Sequence, residues 1–173
     1  MKVSIVNLEK KLNLSAKALN TLTSHTIYVG IRDPENSMKA FRNEFGCWNE
    51  KAQRMNPARP FMAKTFRGER QRVLKNIVSR QVKKVAAMGW QEKGAMRALQ
   101  DIANLTAEQV KNTILSGRFT PNAEATIEKK HHSQVLVGKT GDMYNSIEGW
   151  VEWAFILMQW AIWNSQEELS KLR

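Results

Sequence analysis

Few residues of this sequence have types and spacings suited to chemistry, and the two adjacent histidines come first. His131 and His132 follow each other, so their side chains point to different sides of any regular element. No Asp, Glu or Cys stands beside them at the spacing that a metal site needs. The pattern therefore favours a solvated polar loop, and the sequence predicts no metal site here.

The other reactive residue types also lack partners. Cys47 is the only cysteine, which excludes an intrachain disulfide, and no base is identifiable near it, so an inert buried thiol is favoured. Residues 138–141 read Gly-Lys-Thr-Gly but lack the upstream glycine and the strand-then-helix context of a phosphate-binding loop. Glu148 and Glu152 have no candidate catalytic or metal-ligating residues beside them at a suitable spacing. The sequence therefore predicts no enzyme and no cofactor.

Charge is the strongest compositional signal. The 173 residues include 27 Lys and Arg against 16 Asp and Glu, a net charge of +11, while 42% are hydrophobic, as in a globular protein. Residues 59–84 hold nine Lys or Arg and one acid, Glu69. Such a balance suits polyanions or acidic protein surfaces. The densest apolar stretch, residues 151–163, is too short to cross a bilayer, so no membrane partner is predicted.

The periodicity of apolar residues predicts mostly helices. We expect helices over residues 8–22, 38–45, 61–87, 91–116 and 159–172, extended segments over 26–31 and 146–158, and a helical or extended piece over 126–130. Thr106 followed by Gln109 resembles a capping box, which would break the fourth helix near Asn104. Asp33 and Pro34 mark a loop, and Gly89 and Gly117 mark helix ends. This pattern predicts an α+β fold in one domain, residues 1–173.

The predicted helix 61–87 separates apolar from basic residues. On a helical wheel one half holds Phe66, Val73, Leu74, Ile77, Val78, Val82 and Val85, and the opposite half holds Glu69, Arg72, Lys75, Asn76, Ser79, Arg80 and Lys83. The separation is imperfect, because Arg67, Arg70 and Lys84 lie within or beside the apolar arc. A basic helix face can neutralise phosphates or meet an acidic partner. The alternative is a solvated face of a basic protein, and the sequence leaves both open.

Three short motifs carry a resemblance. The first motif is residues 43–46 (Asn-Glu-Phe-Gly), the second is residues 57–61 (Pro-Ala-Arg-Pro-Phe), and the third is residues 139–147 (Lys-Thr-Gly-Asp-Met-Tyr-Asn-Ser-Ile). In this order they resemble the tail-completion or head–tail joining proteins of long-tailed bacteriophages, also described as virion morphogenesis proteins. The resemblance covers about residues 27–151 and leaves 152–173 as an aromatic C-terminal extension. Lys139 departs from the family pattern, which has an acid there.

The resemblance implies a non-enzymatic structural protein of the virion neck. Such proteins pack long helices on a small antiparallel sheet and form rings, six-fold by the symmetry of the tail. The implied partners are the head–tail connector, tail-tube or tail-terminator proteins and further copies of the chain, with non-specific contact to phage DNA left open. A tail-terminator or connector-adaptor role is the nearest alternative. A basic, non-specific DNA-binding protein is the alternative of a different class.

The motif residues have physical roles beside the resemblance. Pro57 and Pro60 stiffen a loop with Arg59 at its tip, where its donors can contact a partner, and Phe61 can anchor the following helix in the core. Gly141 can take a positive φ, and Thr140 and Asp142 can bind nearby backbone amides. We therefore expect Arg59→Ala to spare stability and Phe61→Ala to reduce it. The structural motif residues are Phe45, Gly46, Pro57, Pro60, Phe61, Thr140, Gly141 and Ser146.

Overall fold

Seven helices and four short strands make up the part of the chain that the structure describes. A computed structural model describes residues 5–116 and 118–154. The elements in chain order are α1 (Ile5–Ser24), β1 (His25–Gly30), α2 (Pro34–Phe45), β2 (Cys47–Asn49), β3 (Arg54–Asn56), α3 (Phe61–Phe66), α4 (Glu69–Ala87), α5 (Glu92–Leu115), α6 (Glu124–Lys130), α7 (Asp142–Asn145) and β4 (Glu148–Trp153). This confirms the predicted class, one α+β domain with long helices and a small antiparallel sheet.

The strands form two small sheets. β1 and β4 are hydrogen-bonded neighbours, and β2 and β3 form an antiparallel hairpin. In the hairpin Cys47 pairs with Asn56 and Asn49 pairs with Arg54, whereas Trp48 pairs with Met55 on the other face. The sequence predicted β1 and β4 but missed this hairpin.

Contacts group the chain into two compact units. The first unit contains the described residues up to Tyr28, Ser79–Ala103 and those from Trp150 onward, and the second contains Val29–Val78 and Asn104–Gly149. The core of the first unit is small: Ala18, Val85, Ala95 and Ala98, with Leu22 and Trp90 packed against them. Small residues let helix backbones approach closely, so α1, α4 and α5 supply this core with few large side chains.

The second unit has the larger core, which includes residues of the second and third motifs. Its buried residues are Phe61, Ala107, Val110, Ile114, Leu136, Met143 and Ile147. The predicted buried stripe of α5 is confirmed, since Ala95, Leu99, Ile102, Val110 and Ile114 are all buried. The predicted break near Asn104 is wrong. Thr106 is buried within a continuous helix, so it is not an N-cap.

The predicted helix 61–87 is two helices. α3 ends at Phe66, Arg67 is extended, and Gly68 has a φ of +64°, which reverses the handedness of the backbone before α4 begins. α2 also begins earlier than predicted, because the Asp33 carboxylate accepts the Asn36 N–H at 2.8 Å and Pro34 occupies the first turn. Gly117 and the expected helix 159–172 lie outside the described residues.

Candidate functional site

The first and second motifs are joined by backbone and carboxylate hydrogen bonds. The Glu44 carboxylate accepts the Met62 N–H and the Ala63 N–H, both at 2.9 Å, and so supplies acceptors for the first turn of α3. The Asn43 carbonyl accepts the Arg59 N–H at 2.6 Å. The end of α2 therefore holds the start of α3, and Phe61 enters the core directly below this junction with 1% of its surface exposed.

The third motif contacts the same junction, although it lies about one hundred residues later in the sequence. Asn43 Nδ2 lies 3.6 Å from Met143 Sδ, and Asn36 Nδ2 donates to Ser146 Oγ at 3.0 Å. Met143 and Ile147 are buried beside Phe61 in one core. The three motifs thus form one framework. The sequence shows their order along the chain but does not predict their contacts in space.

The structure bears on two sequence predictions for the third motif, one for Gly141 and one for Thr140. Gly141 has a φ of 74°, which confirms the predicted positive-φ turn. Thr140 Oγ1 donates to Asp142 Oδ2 at 2.5 Å, so the predicted bond from Thr140 to a backbone amide is wrong. Ser146 Oγ donates to the Asp142 carbonyl at 2.7 Å and thereby closes the short helix α7.

Arg59 does not stand at the loop tip as a free contact. Its Nε donates to the Thr120 carbonyl at 3.0 Å and its Nη2 donates to the Pro121 carbonyl at 3.2 Å. Partial burial lowers the pKa of the Arg59 guanidinium. The side chain therefore connects the second motif to the loop that precedes α6. This contact favours a loss of stability on its removal, contrary to the expectation from the sequence.

We predict that Arg59→Ala lowers the free energy of unfolding by about 1–2 kcal/mol, because two bonds from a charged donor are lost. Arg59→Lys should restore only part of this loss, since an ammonium cannot reproduce the planar two-point contact. Arg72→Ala is the control, because Arg72 is exposed on α4. Urea denaturation measures all three. Equal stability of Arg59→Ala and the Arg72→Ala control would return Arg59 to the role of a surface contact.

A cleft of about 670 Å³ opens beside this framework in the second unit. Its walls come from α2, from the β2–β3 hairpin, from the second motif and from residues 121–126. Four cationic side chains line it: Lys39, Arg42, Arg54 and Arg59. Among the described residues, no carboxylate belongs to this lining. The hairpin, which the sequence missed, builds one wall, so the cleft was missed as well.

A fifth cation reinforces the positive potential near the cleft. Lys130 Nζ donates to the Gln134 carbonyl at 2.8 Å. Burial, and then repulsion by Arg59, lower the pKa of Lys130. Two like charges are thus held near each other by backbone carbonyls. An anion bound nearby would relieve this repulsion.

The predicted basic face of α4 is present as an exposed surface. Arg72, Lys75, Arg80 and Lys83 are all exposed, and within the described chain no ion pair neutralises them. The helix-wheel prediction is only partly right for the opposite half, where Ile77 and Val85 are buried as predicted. Phe66, Val73 and Val78 are 40–42% exposed, whereas Gln81 is buried. Arg59 belongs to the cleft and not to this helix face.

The remaining candidate residues have local roles. His131 ends α6 with a φ of 58°, and His132 Nε2 lies 3.3 Å from the Gly138 carbonyl oxygen. Cys47 is half-buried, less than predicted, and its Sγ accepts a bond from Asn56 Nδ2 at 3.5 Å. Glu148 pairs with exposed Arg32. Over residues 5–116 and 118–154, no three His, Cys, Asp or Glu side chains are grouped to hold a metal ion.

Comparison of the chain with protein-family models, with curated proteins and with solved structures finds no match. Of the helices that the structure describes, none combines the length and the apolar character needed to cross a membrane.

Proposed function

We propose that this chain is a structural protein of the bacteriophage virion, located in the neck, where it completes the tail and joins it to the DNA-filled head as part of a ring. The observation that carries the proposal is the meeting of the three motifs. Glu44 holds the first to the second, and Asn43 contacts Met143 of the third. The three motifs that resemble one family in sequence also contact one another in space. This supports the proposal that the chain shares its origin with that family. The particle would assemble in the cytoplasm of the host.

The framework presents an apolar surface suited to contact between subunits. Met38, Phe41 and Phe45 lie at helical spacing on α2 and are 52%, 60% and 66% exposed. The Phe41 and Phe45 rings are 4.8 Å apart. Neighbouring exposed apolar side chains that form a contiguous patch are a feature of protein interaction sites. In a ring this surface would contact a different surface of the next copy, as a head-to-tail interface requires.

Disruption of the gene in its native genome tests the proposed role. We expect filled heads and complete tails that fail to join, seen by electron microscopy, and recovery of joined particles when the intact gene is supplied in trans. Supply of Phe41→Ser with Phe45→Ser should fail to restore joining although the variant protein folds. Normal infectious particles in the absence of the protein would overturn the proposal.

The basic face of α4 favours a second candidate, a non-specific DNA-binding protein. Exposed lysines and arginines can replace the counterions of phosphates, which gives binding without base contacts. A neck ring would use the same face as a collar around passing DNA. The two candidates differ in the particle. A neck protein is a fixed component of virions, whereas a DNA-binding regulator is absent from them, so mass spectrometry of purified particles separates the two.

Reversing Arg72, Lys75 and Lys83 to Glu tests the collar. We predict that the variant folds normally, that joined particles lose infectivity, and that its affinity for DNA falls by roughly tenfold or more with a shallower salt dependence. The matched control reverses Lys10, Lys11 and Lys17, exposed residues of α1, for the same change in net charge. Filter binding at two salt concentrations measures the effect. Equal losses in both variants would show that only net charge matters.

A further inference from the structure

The cationic cleft of the second unit is lined by positive charges, most of which no ion pair of the described residues neutralises. Arg42 on α2 and Arg54 on β3 are both exposed, and the described part of the chain gives neither guanidinium an acidic partner. Arg59 is already bound to two carbonyl oxygens, and Lys39 is paired with Glu35 at 2.7 Å. The guanidinium groups of Arg42 and Arg54, which line the cleft from α2 and β3, are therefore the ones free to bind a ligand.

Side-chain amides line the same cleft and have atoms left for a ligand. Asn49 Oδ1 accepts the Ala52 N–H at 3.1 Å, which leaves the Asn49 amide nitrogen available as a donor. Asn56 Nδ2 and Asn122 Nδ2 donate within the chain, which leaves their oxygens available as acceptors. The hairpin register places Asn49, Arg54 and Asn56 on one face, the face that lines the cleft. The cleft thus offers both donors and acceptors.

We propose that this cleft binds an acidic segment of a partner polypeptide, with carboxylates on Arg42 and Arg54 and the peptide backbone on the asparagine amides. Carboxylates match the paired donors of a guanidinium, and amides pair with amides. A concave site of this volume admits a few residues of an extended chain. Duplex DNA, by contrast, presents its phosphates along a convex surface and suits the exposed face of α4. The inference does not rest on the proposed role in the virion neck.

Fluorescence anisotropy with a labelled peptide tests the inference. The probe is a fluorescein-labelled pentapeptide of alternating glutamate and alanine, and its counterpart with glutamine in place of glutamate is the neutral control. We expect wild type to bind the acidic peptide and not the neutral one. Arg42→Gln with Arg54→Gln should weaken binding by about tenfold or more. The control Arg72→Gln with Lys75→Gln removes the same charge from α4 and should change binding by less than about twofold.

Cys47 provides a second measurement that needs no variant. It is half-buried in the cleft wall and is the only cysteine of the chain, so its alkylation by iodoacetamide reports on occupancy. The acidic peptide should slow this alkylation, and the neutral peptide should not. Duplex DNA should neither slow the alkylation nor displace the peptide from wild type.

Three results would overturn the inference. The first is absence of binding or of Cys47 protection by the acidic peptide. The second is an equal loss in the cleft variant and in the α4 control, which would show attraction to net charge alone. The third is displacement by inorganic phosphate or duplex DNA at the concentrations that the peptide needs, which would show a general anion surface. Thermal melting of each variant confirms that the variants fold.

Discussion

Replacing Phe61 by alanine is expected to lower the free energy of unfolding by about 3–5 kcal/mol, the loss typical of a large aromatic removed from a core. Phe61 is 1% exposed and is the first residue of α3. It packs in the same cluster as Val110 and Ile114 of α5 and Ile147 of the third motif. The substitution leaves a cavity at the point where the second and third motifs meet, so the neighbouring backbone cannot close it without moving the framework.

Phe66 is the matched control for this prediction. It ends the same six-residue helix but is 40% exposed, so Phe66→Ala should cost less than about 1 kcal/mol. Urea denaturation followed by circular dichroism measures both variants. Phe61→Leu should fall between wild type and Phe61→Ala, because it restores part of the buried volume. Similar losses at Phe61 and Phe66 would mean that α3 lies on the core in a different orientation.

The long helices could be predicted from the sequence because many residues in each of them follow the same apolar spacing. In α5 the stripe Ala95, Leu99, Ile102, Val110 and Ile114 is predicted and buried. The break between α3 and α4 was not readable, because it depends on a single glycine, Gly68, within a sequence that keeps helical spacing on both sides. One glycine in a helical pattern costs only about 1 kcal/mol, so the pattern alone could not decide.

The amphipathic face of α4 shows a second limit. Its wheel predicted that Val73 and Val78 would be buried, yet both are 42% exposed and Gln81 is buried. A helical wheel assumes that one continuous half of the helix faces the core. Which residues are buried depends on the neighbours that cover each turn, and those neighbours come from distant segments of the chain.

The candidate site was the least predictable part. The sequence identified Arg59 as a special residue but assigned it to a partner, since no pattern shows that its donors reach the carbonyls of Thr120 and Pro121. The cleft depends on a hairpin of two three-residue strands. Strands of this length have too few residues for alternation to be visible. The signal that remained was the convergence of Lys39, Arg42 and Arg54 within a short stretch of sequence, and charge alone does not define a cavity.

Replacing Gly46 by alanine is expected to cause the second large loss of stability, because two independent steric barriers exclude a side chain at this position. Its backbone has φ 77° and ψ 166°, a region that residues with a Cβ almost never occupy. A Cβ at this position would also lie 2.8 Å from the Asn56 carbonyl oxygen and 3.1 Å from the Ala58 nitrogen. Both of these are backbone atoms, which cannot rotate away as a flexible side chain would.

We therefore expect Gly46→Ala to lower the free energy of unfolding by at least about 3 kcal/mol, of which roughly 1–3 kcal/mol is backbone strain and the rest is the collision. Two controls separate these causes. Gly68→Ala meets the positive-φ cost alone, since nothing lies within 4 Å of its Cβ, and Gly138→Ala has neither a positive φ nor a close neighbour. Urea denaturation should rank the losses Gly46, Gly68 and Gly138 in falling order. If Gly46→Ala costs no more than Gly68→Ala, the first motif does not lie against the strand that leads into the second, and the framework on which the proposed function rests is wrong at that contact.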